Sequence, residues 1–129
     1  MWKLYSLKGN RENDMELKFF DQAPEAIGPY AHAVRTGHLV ICSGQTPLDP
    51  DTSELVGSNI QEQTERVLRN LAIVLEGVGL TLNDVVKTNV YLKSMDDFDG
   101  MNESYAEMFG LHRPARTTIA VKQNPLDAL

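Results

Sequence analysis

The sharpest chemical feature of this sequence is an arginine set behind a proline at the start of an apolar run. In HRPARTTIAV, residues 112 to 121, Pro114 restricts the backbone just ahead of Arg116. The guanidinium therefore stands on a rigid mount and offers a fork that matches a carboxylate bidentately. A structural ion pair with one of the 18 Asp and Glu side chains is the ordinary alternative, and position by itself does not decide between them. Thr118 shares the face of Arg116 in a strand of period two.

Other polar candidates lie far apart in the chain. Ser43 ends the run VICSG just before Gly44, where a turning chain can present a hydroxyl and neighbouring N–H groups to a ligand or merely brace the turn. Tyr30 follows Gly28-Pro29 and is either a half-buried aromatic or a proton donor. Asn102 is an amide on a largely apolar helical face, a boundary residue or a group aimed into a cleft. Cys42, the one cysteine, sits inside an apolar strand and reads as packing rather than as a reactive thiol. His32, His38 and His112 lack the spacing of a zinc site, so no metal is expected. Phosphate loops, dinucleotide fingerprints and nucleophile elbows are missing too. Residues alone give candidates without a reaction, and a small-anion enzyme and a plain binding module fit equally.

The elements that must carry these groups are readable from periodicity. MELKFF from Met15 begins a strand, and the polar residues 1–14 before it are expected to be a disordered extension, with translation starting at Met1 or at Met15. YAHAVRTGHLVICSG predicts a hairpin about Thr36-Gly37. A helix is predicted from Ser58, whose SNIQ reads as a capping box with Gln61, and Ile60, Thr64, Val67, Leu68, Leu71, Leu75 and Val78 make its buried stripe. DVVKTNVYLK alternates as a strand, placed to pair in parallel with the hairpin across that helix. A second helix follows, with Ser94 and Asp97 at its start and Phe98, Met101, Tyr105, Met108 and Phe109 on its apolar face, and RPARTTIAV is the last strand. The predicted class is α+β: one mixed sheet covered on one side by two helices, in one domain over 15–129.

Composition agrees. A chain of 129 residues with 42% hydrophobic and 23% charged residues can bury a core without disulfides. Its net charge of −6 argues against a broad nucleic-acid or anionic-membrane face. No run approaches the roughly 18–20 apolar residues of a spanning helix, and no signal peptide is evident, so the expected location is cytoplasmic.

Taken together, APEAIGPYAHAV, CSGQTPLDP, DVVKTNVYLKSMDDF, MNESYAEMF and RPART closely resemble the Rid (YjgF) family of reactive intermediate deaminases, from about Ala23 to Leu129. The resemblance implies a chorismate-mutase-like fold, a homotrimer with small-molecule sites between subunits, and cofactor-free hydrolysis of 2-imino acids such as 2-iminopropanoate and 2-iminobutanoate to 2-keto acids and ammonia. It implies that Arg116 grips the substrate carboxylate, with Tyr30, Ser43, Gly44 and Asn102 lining the same cleft. Thr118 stands where many deaminase members carry cysteine. Those members also continue into a strand resembling VEIEAIA, whose glutamate positions the attacking water, and the reading frame is expected to continue into such a strand. Binding of a 2-keto acid without turnover is the alternative function, and RNA cleavage is the reading least favoured by an acidic chain.

Overall fold

Alternation in AVRT and LVIC on either side of a glycine produces the predicted hairpin: β2 (Ala33–Thr36) and β3 (Leu39–Cys42) pair antiparallel, Ala33 opposite Cys42 and Thr36 opposite Leu39. Gly37 turns the chain at φ 57°, a conformation that costs glycine little. The other edge of β2 receives β1 (Met15–Lys18), also antiparallel. The computed structural model describes residues 15–129, so the extension expected over 1–14 lies outside the described residues.

α1 (Ile60–Gly77) begins one residue later than its sequence suggests. Asn59, not Ser58, caps it, accepting from the Glu62 backbone N–H at 2.9 Å. The Glu62 carboxylate in turn accepts from the Ser58 backbone N–H at 2.8 Å. An acidic group in the first turn also complements the helix dipole, which Gln61 cannot do, and this favours the shifted register. Ile60, Thr64, Leu68 and Leu75 are buried as expected, and Gln63, Asn70 and Val74 join them.

β4 (Lys87–Leu92) and β5 (Ala115–Ala120) run parallel, with Thr88 beside Arg116 and Val90 beside Thr118. α2 (Phe98–Phe109) is their crossover, entered through a 3₁₀ turn that Ser94 caps by accepting from the Asp96 N–H at 3.1 Å. The parallel pairing expected across α1 is thus realised across α2. A Cβ on Gly100 would lie 2.6 Å from Ile60 Cγ2, so the close approach of α2 to α1 depends on glycine there.

The architecture is α+β, with both helices on one side of the strands. Among the described residues the single mixed sheet expected from sequence is divided into a three-stranded sheet, β1-β2-β3, and a two-stranded sheet, β4-β5. Each has its own core. Ala33 and Val74 are buried under the first, with Val40, Cys42 and Phe20 partly buried against them. Leu68, Leu92, Met101, Tyr105 and Phe109 fill the second. Between the loop that leaves β3 and strand β4 runs an apolar groove of about 370 Å³, floored by α1 and α2. Val67 and Leu71 face this groove and are only half-buried in consequence. On the opposite face of the strands Met15, Leu17, Leu39, Ile41, Tyr91 and Ile119 are exposed.

Candidate functional site

Strand period and helix period combine at Arg116. On β5, Arg116 and Thr118 point toward the helices, while Phe98, Asn102 and Tyr105 recur at i, i+4 and i+7 along α2. The Arg116 guanidinium carbon lies 4.8 Å from the centre of the Tyr105 ring and 5.7 Å from that of Phe98. Asn102 sits on the helix between those two rings. The Tyr105 hydroxyl shares a 2.8 Å hydrogen bond with Thr88 Oγ1, and Thr88 is the ladder neighbour of Arg116. Rings beneath the guanidinium hold it by cation–π attraction without consuming its N–H donors.

No structural ion pair to Arg116 forms within residues 15–129. Among the described residues the ion pairs are Lys18–Glu16, Arg69–Glu65 and Lys93–Asp127, and no carboxylate lies within 4.0 Å of Arg116. Two buried side-chain atoms without any hydrogen-bond partner, Asn102 Oδ1 and Thr118 Oγ1, belong to this same α2–β5 face. Leaving such an atom unpaired in a folded chain costs about 1–3 kcal/mol. A polar ligand settled here would relieve that cost.

A second group gathers where β3 ends. The Ser43 hydroxyl donates to the Ala31 carbonyl at 2.7 Å, and the Ser43 N–H donates to the His32 carbonyl at 2.9 Å. The turn-bracing alternative for Ser43 is therefore realised, while its oxygen keeps lone pairs for an incoming donor. Tyr30 is 43% exposed and, with Gly44, lines the groove. Gly44 has no left-handed φ, and a Cβ there would meet no atom within 4 Å. Nothing among the described residues demands glycine at this position. Cys42 is half-buried, and burial pushes its thiol pKa up, away from thiolate chemistry.

One chain thus brings Arg116, Asn102 and Thr118 together, and separately Tyr30, Ser43 and Gly44. Tyr105 touches both regions, since its ring lies under Arg116 and also lines the groove with Tyr30 and Gly44. By its spacing Tyr105 belongs only to the apolar face of α2, and no local pattern singles out Thr88 or Asn70. Asn70 is fully buried on α1, where its amide donates to the carbonyls of Thr46 at 3.2 Å and Leu48 at 2.9 Å, and so holds the loop beyond Gly44.

Residues 20–129 match the family described as Endoribonuclease L-PSP. A RutC family protein of Pyrococcus abyssi is 47% identical over 114 residues, covering 88% of this chain and 90% of that one. The chloroplastic Reactive Intermediate Deaminase A of Arabidopsis thaliana is 40% identical over 108 residues, 84% of this chain and 58% of the relative. The chain belongs to the Rid family. Solved structures place the Rid fold on the same footing: a Thermotoga maritima chain superposes with a TM-score of 0.84 at 50% identity, covering 88% of this chain and 89% of that one. TdcF of Escherichia coli, solved with bound serine, gives 0.83 at 33% identity, covering 88% and 91%. Among the described residues of this Rid protein no group of three or more His, Cys, Asp or Glu could hold a metal ion. No helix there is long and apolar enough to cross a membrane.

Proposed function

We propose that this Rid protein is a cytoplasmic hydrolase that converts small 2-imino acids, and the enamines in equilibrium with them, to 2-keto acids and ammonia without a cofactor. The observation that carries the reading is Arg116, a cation resting on two aromatic rings, with no carboxylate partner among the described residues, beside two unpaired buried polar atoms. Such a site suits a ligand that carries both a carboxylate and an N–H. Support comes from TdcF, a relative solved with serine, which carries both groups, and from the Arabidopsis relative named a reactive intermediate deaminase.

In this reading the carboxylate of 2-iminobutanoate or 2-iminopropanoate accepts two parallel hydrogen bonds from Arg116. Asn102 Oδ1 accepts from the imine N–H, and Thr118 donates to the carboxylate or holds the attacking water. Water adds across the C2–N double bond, its oxygen to C2 and one proton to nitrogen; the carbinolamine hydroxyl then gives its proton to nitrogen, the C–N bond breaks, and ammonia leaves as the C2 carbonyl forms. Because an imine is already electrophilic, orientation beside a positioned water supplies most of what catalysis needs. Tyr30, Ser43 and Gly44 form the other wall of the cleft. We place that wall on a neighbouring copy in a homotrimer, with the exposed Leu17, Leu39, Ile41, Tyr91 and Ile119 as the surface that association covers.

A second reading is favoured by the groups around Arg116 being hydroxyls and an amide: a protein that binds 2-keto acids without turnover. RNA cleavage is set aside because a chain of net charge −6 lacks a broad basic face. Freshly generated 2-iminobutanoate separates the three. Release of 2-ketobutanoate faster than in buffer supports the hydrolase. Calorimetric binding of 2-ketobutanoate with an unaccelerated rate supports the binding protein, and salt-sensitive RNA binding with cleavage revives the third.

A further inference from the structure

His32 is the last of the fourteen residues, 19–32, that carry Tyr30 from β1 to β2, and it is only 6% exposed. Both of its ring nitrogens are used. Nδ1 is 2.9 Å from the Phe20 backbone N–H and accepts from it; Nε2 is 2.8 Å from the Pro24 carbonyl and donates to it, which selects the tautomer with hydrogen on Nε2. The imidazole also stacks on the Phe20 ring, with centroids 6.2 Å apart and planes 21° from parallel. Phe20 is itself seated against α1, so closely that a Cβ on Gly77 would lie 2.4 Å from its ring. At the backbone His32 N–H donates to the Lys18 carbonyl at 3.0 Å, and its carbonyl accepts from Ser43 N–H at 2.9 Å.

One residue therefore ties the start of the connection, its proline bend, the end of β1 and the turn after β3 into a single unit. Among the described residues the backbone bonds within the connection itself are Ala23 N–H to the Phe20 carbonyl, 3.3 Å, and Tyr30 N–H to the Gly28 carbonyl, 2.9 Å. Neither reaches the rest of the fold. A histidine acting only as buried filler has no need to meet both ends of a loop with both nitrogens.

We infer that His32 is a positioning residue: it fixes the 19–32 connection and with it Tyr30, which lines the groove and whose part in turnover, as the wall facing the Arg116 of a neighbouring copy, rests on the imine-hydrolysis reading. The Gln side chain can place a donor where Nε2 stands and the Asn side chain an acceptor where Nδ1 stands, whereas Leu fills the space and offers neither. Accordingly His32→Leu is expected to raise KM for 2-iminobutanoate about tenfold with little change in kcat, on the scale that a small misplacement of a binding group produces. His32→Gln and His32→Asn are expected to restore most of the loss. If His32 acts through Tyr30, the double variant H32L/Y30A has the KM of Y30A alone.

Kinetics of these variants are run beside backbone hydrogen exchange of residues 19–31 in the full chain. Faster exchange there in H32L, with α1 unchanged, is expected; unchanged exchange overturns the inference whatever the activity. A fully additive KM in the double variant overturns it as well. Should H32L fail to fold, H32A, which likewise offers neither donor nor acceptor, carries the same two readouts. An inactive wild-type protein whose loop loosens in H32L removes the hydrolase reading and leaves the positioning of Tyr30 standing.

Discussion

The guanidinium of Arg116 lies over the ring of Tyr105, with 4.8 Å between its central carbon and the ring centre. That contact joins the last strand to the second helix and fixes the direction in which the fork faces. Tyr105→Leu removes the ring while keeping apolar volume. It is expected to lower kcat/KM about three- to tenfold, in line with about 0.5–2 kcal/mol for a cation–π contact. Tyr105→Phe keeps the ring and loses only the Thr88 bond, so activity is expected to stay within about threefold while denaturant unfolding shows a loss of about 1 kcal/mol.

Asn70 makes a separate prediction about stability. Its buried amide serves the Thr46 and Leu48 carbonyls, and its oxygen accepts from Arg66 Nε at 3.1 Å. Asn70→Leu would strand the carbonyls and crowd their loop, at an expected cost of about 2–4 kcal/mol by the price of unsatisfied buried groups. Chemical denaturation measures it. A loss within experimental error would mean that the loop is held by something else.

Two glycines should behave oppositely. Gly100→Ala forces a Cβ against Ile60 and is expected to destabilise by about 1–3 kcal/mol, as overpacking does. Gly44→Ala meets open space within the chain, so its melting temperature is expected to match that of the unaltered protein, while turnover of 2-iminobutanoate falls because the cleft wall is raised. Equal turnover in Gly44→Ala would remove Gly44 from the site.

Cys42 supplies a pH dependence. Burial raises its thiol pKa in the folded chain, so the unfolded chain gives up that proton first as pH climbs. The contribution is intact below the unfolded thiol's pKa and is lost as pH rises through the folded value. Stability is therefore expected to decline in alkaline buffer more steeply than in Cys42→Ala, as followed by denaturant midpoints across that range. Cys42→Ala is expected to keep its activity at neutral pH.

Much of this architecture was legible in the chain. Period two correctly put Arg116 with Thr118, and period 3.6 put Phe98 with Tyr105, because each pattern is a local consequence of backbone geometry. What escaped was non-local. The cap moved from Ser58 to Asn59 because the Glu62 carboxylate takes the Ser58 N–H that Gln61 would have accepted. Asn70 and His32 looked unremarkable because their partners stand 24 and 12 residues away. Tyr105 read as core because no local pattern says that the ring on α2 will meet the arginine on β5. Likewise, alternation identified every strand of residues 15–129 without saying that they would be divided between two sheets.

The central claim is that Arg116 holds the carboxylate of an imino acid, and its most direct test is kcat/KM for freshly generated 2-iminobutanoate in the unaltered protein, Arg116→Lys and Arg116→Ala, each checked for native circular dichroism. Hydrogen bonds to charged groups are worth about 1.5–3 kcal/mol, so Arg116→Ala is expected to lose about 100-fold. Arg116→Lys, which keeps the charge and loses the fork and the stacking, is expected to fall between them. Folded Arg116→Ala protein that releases 2-ketobutanoate at the unaltered rate would contradict the account.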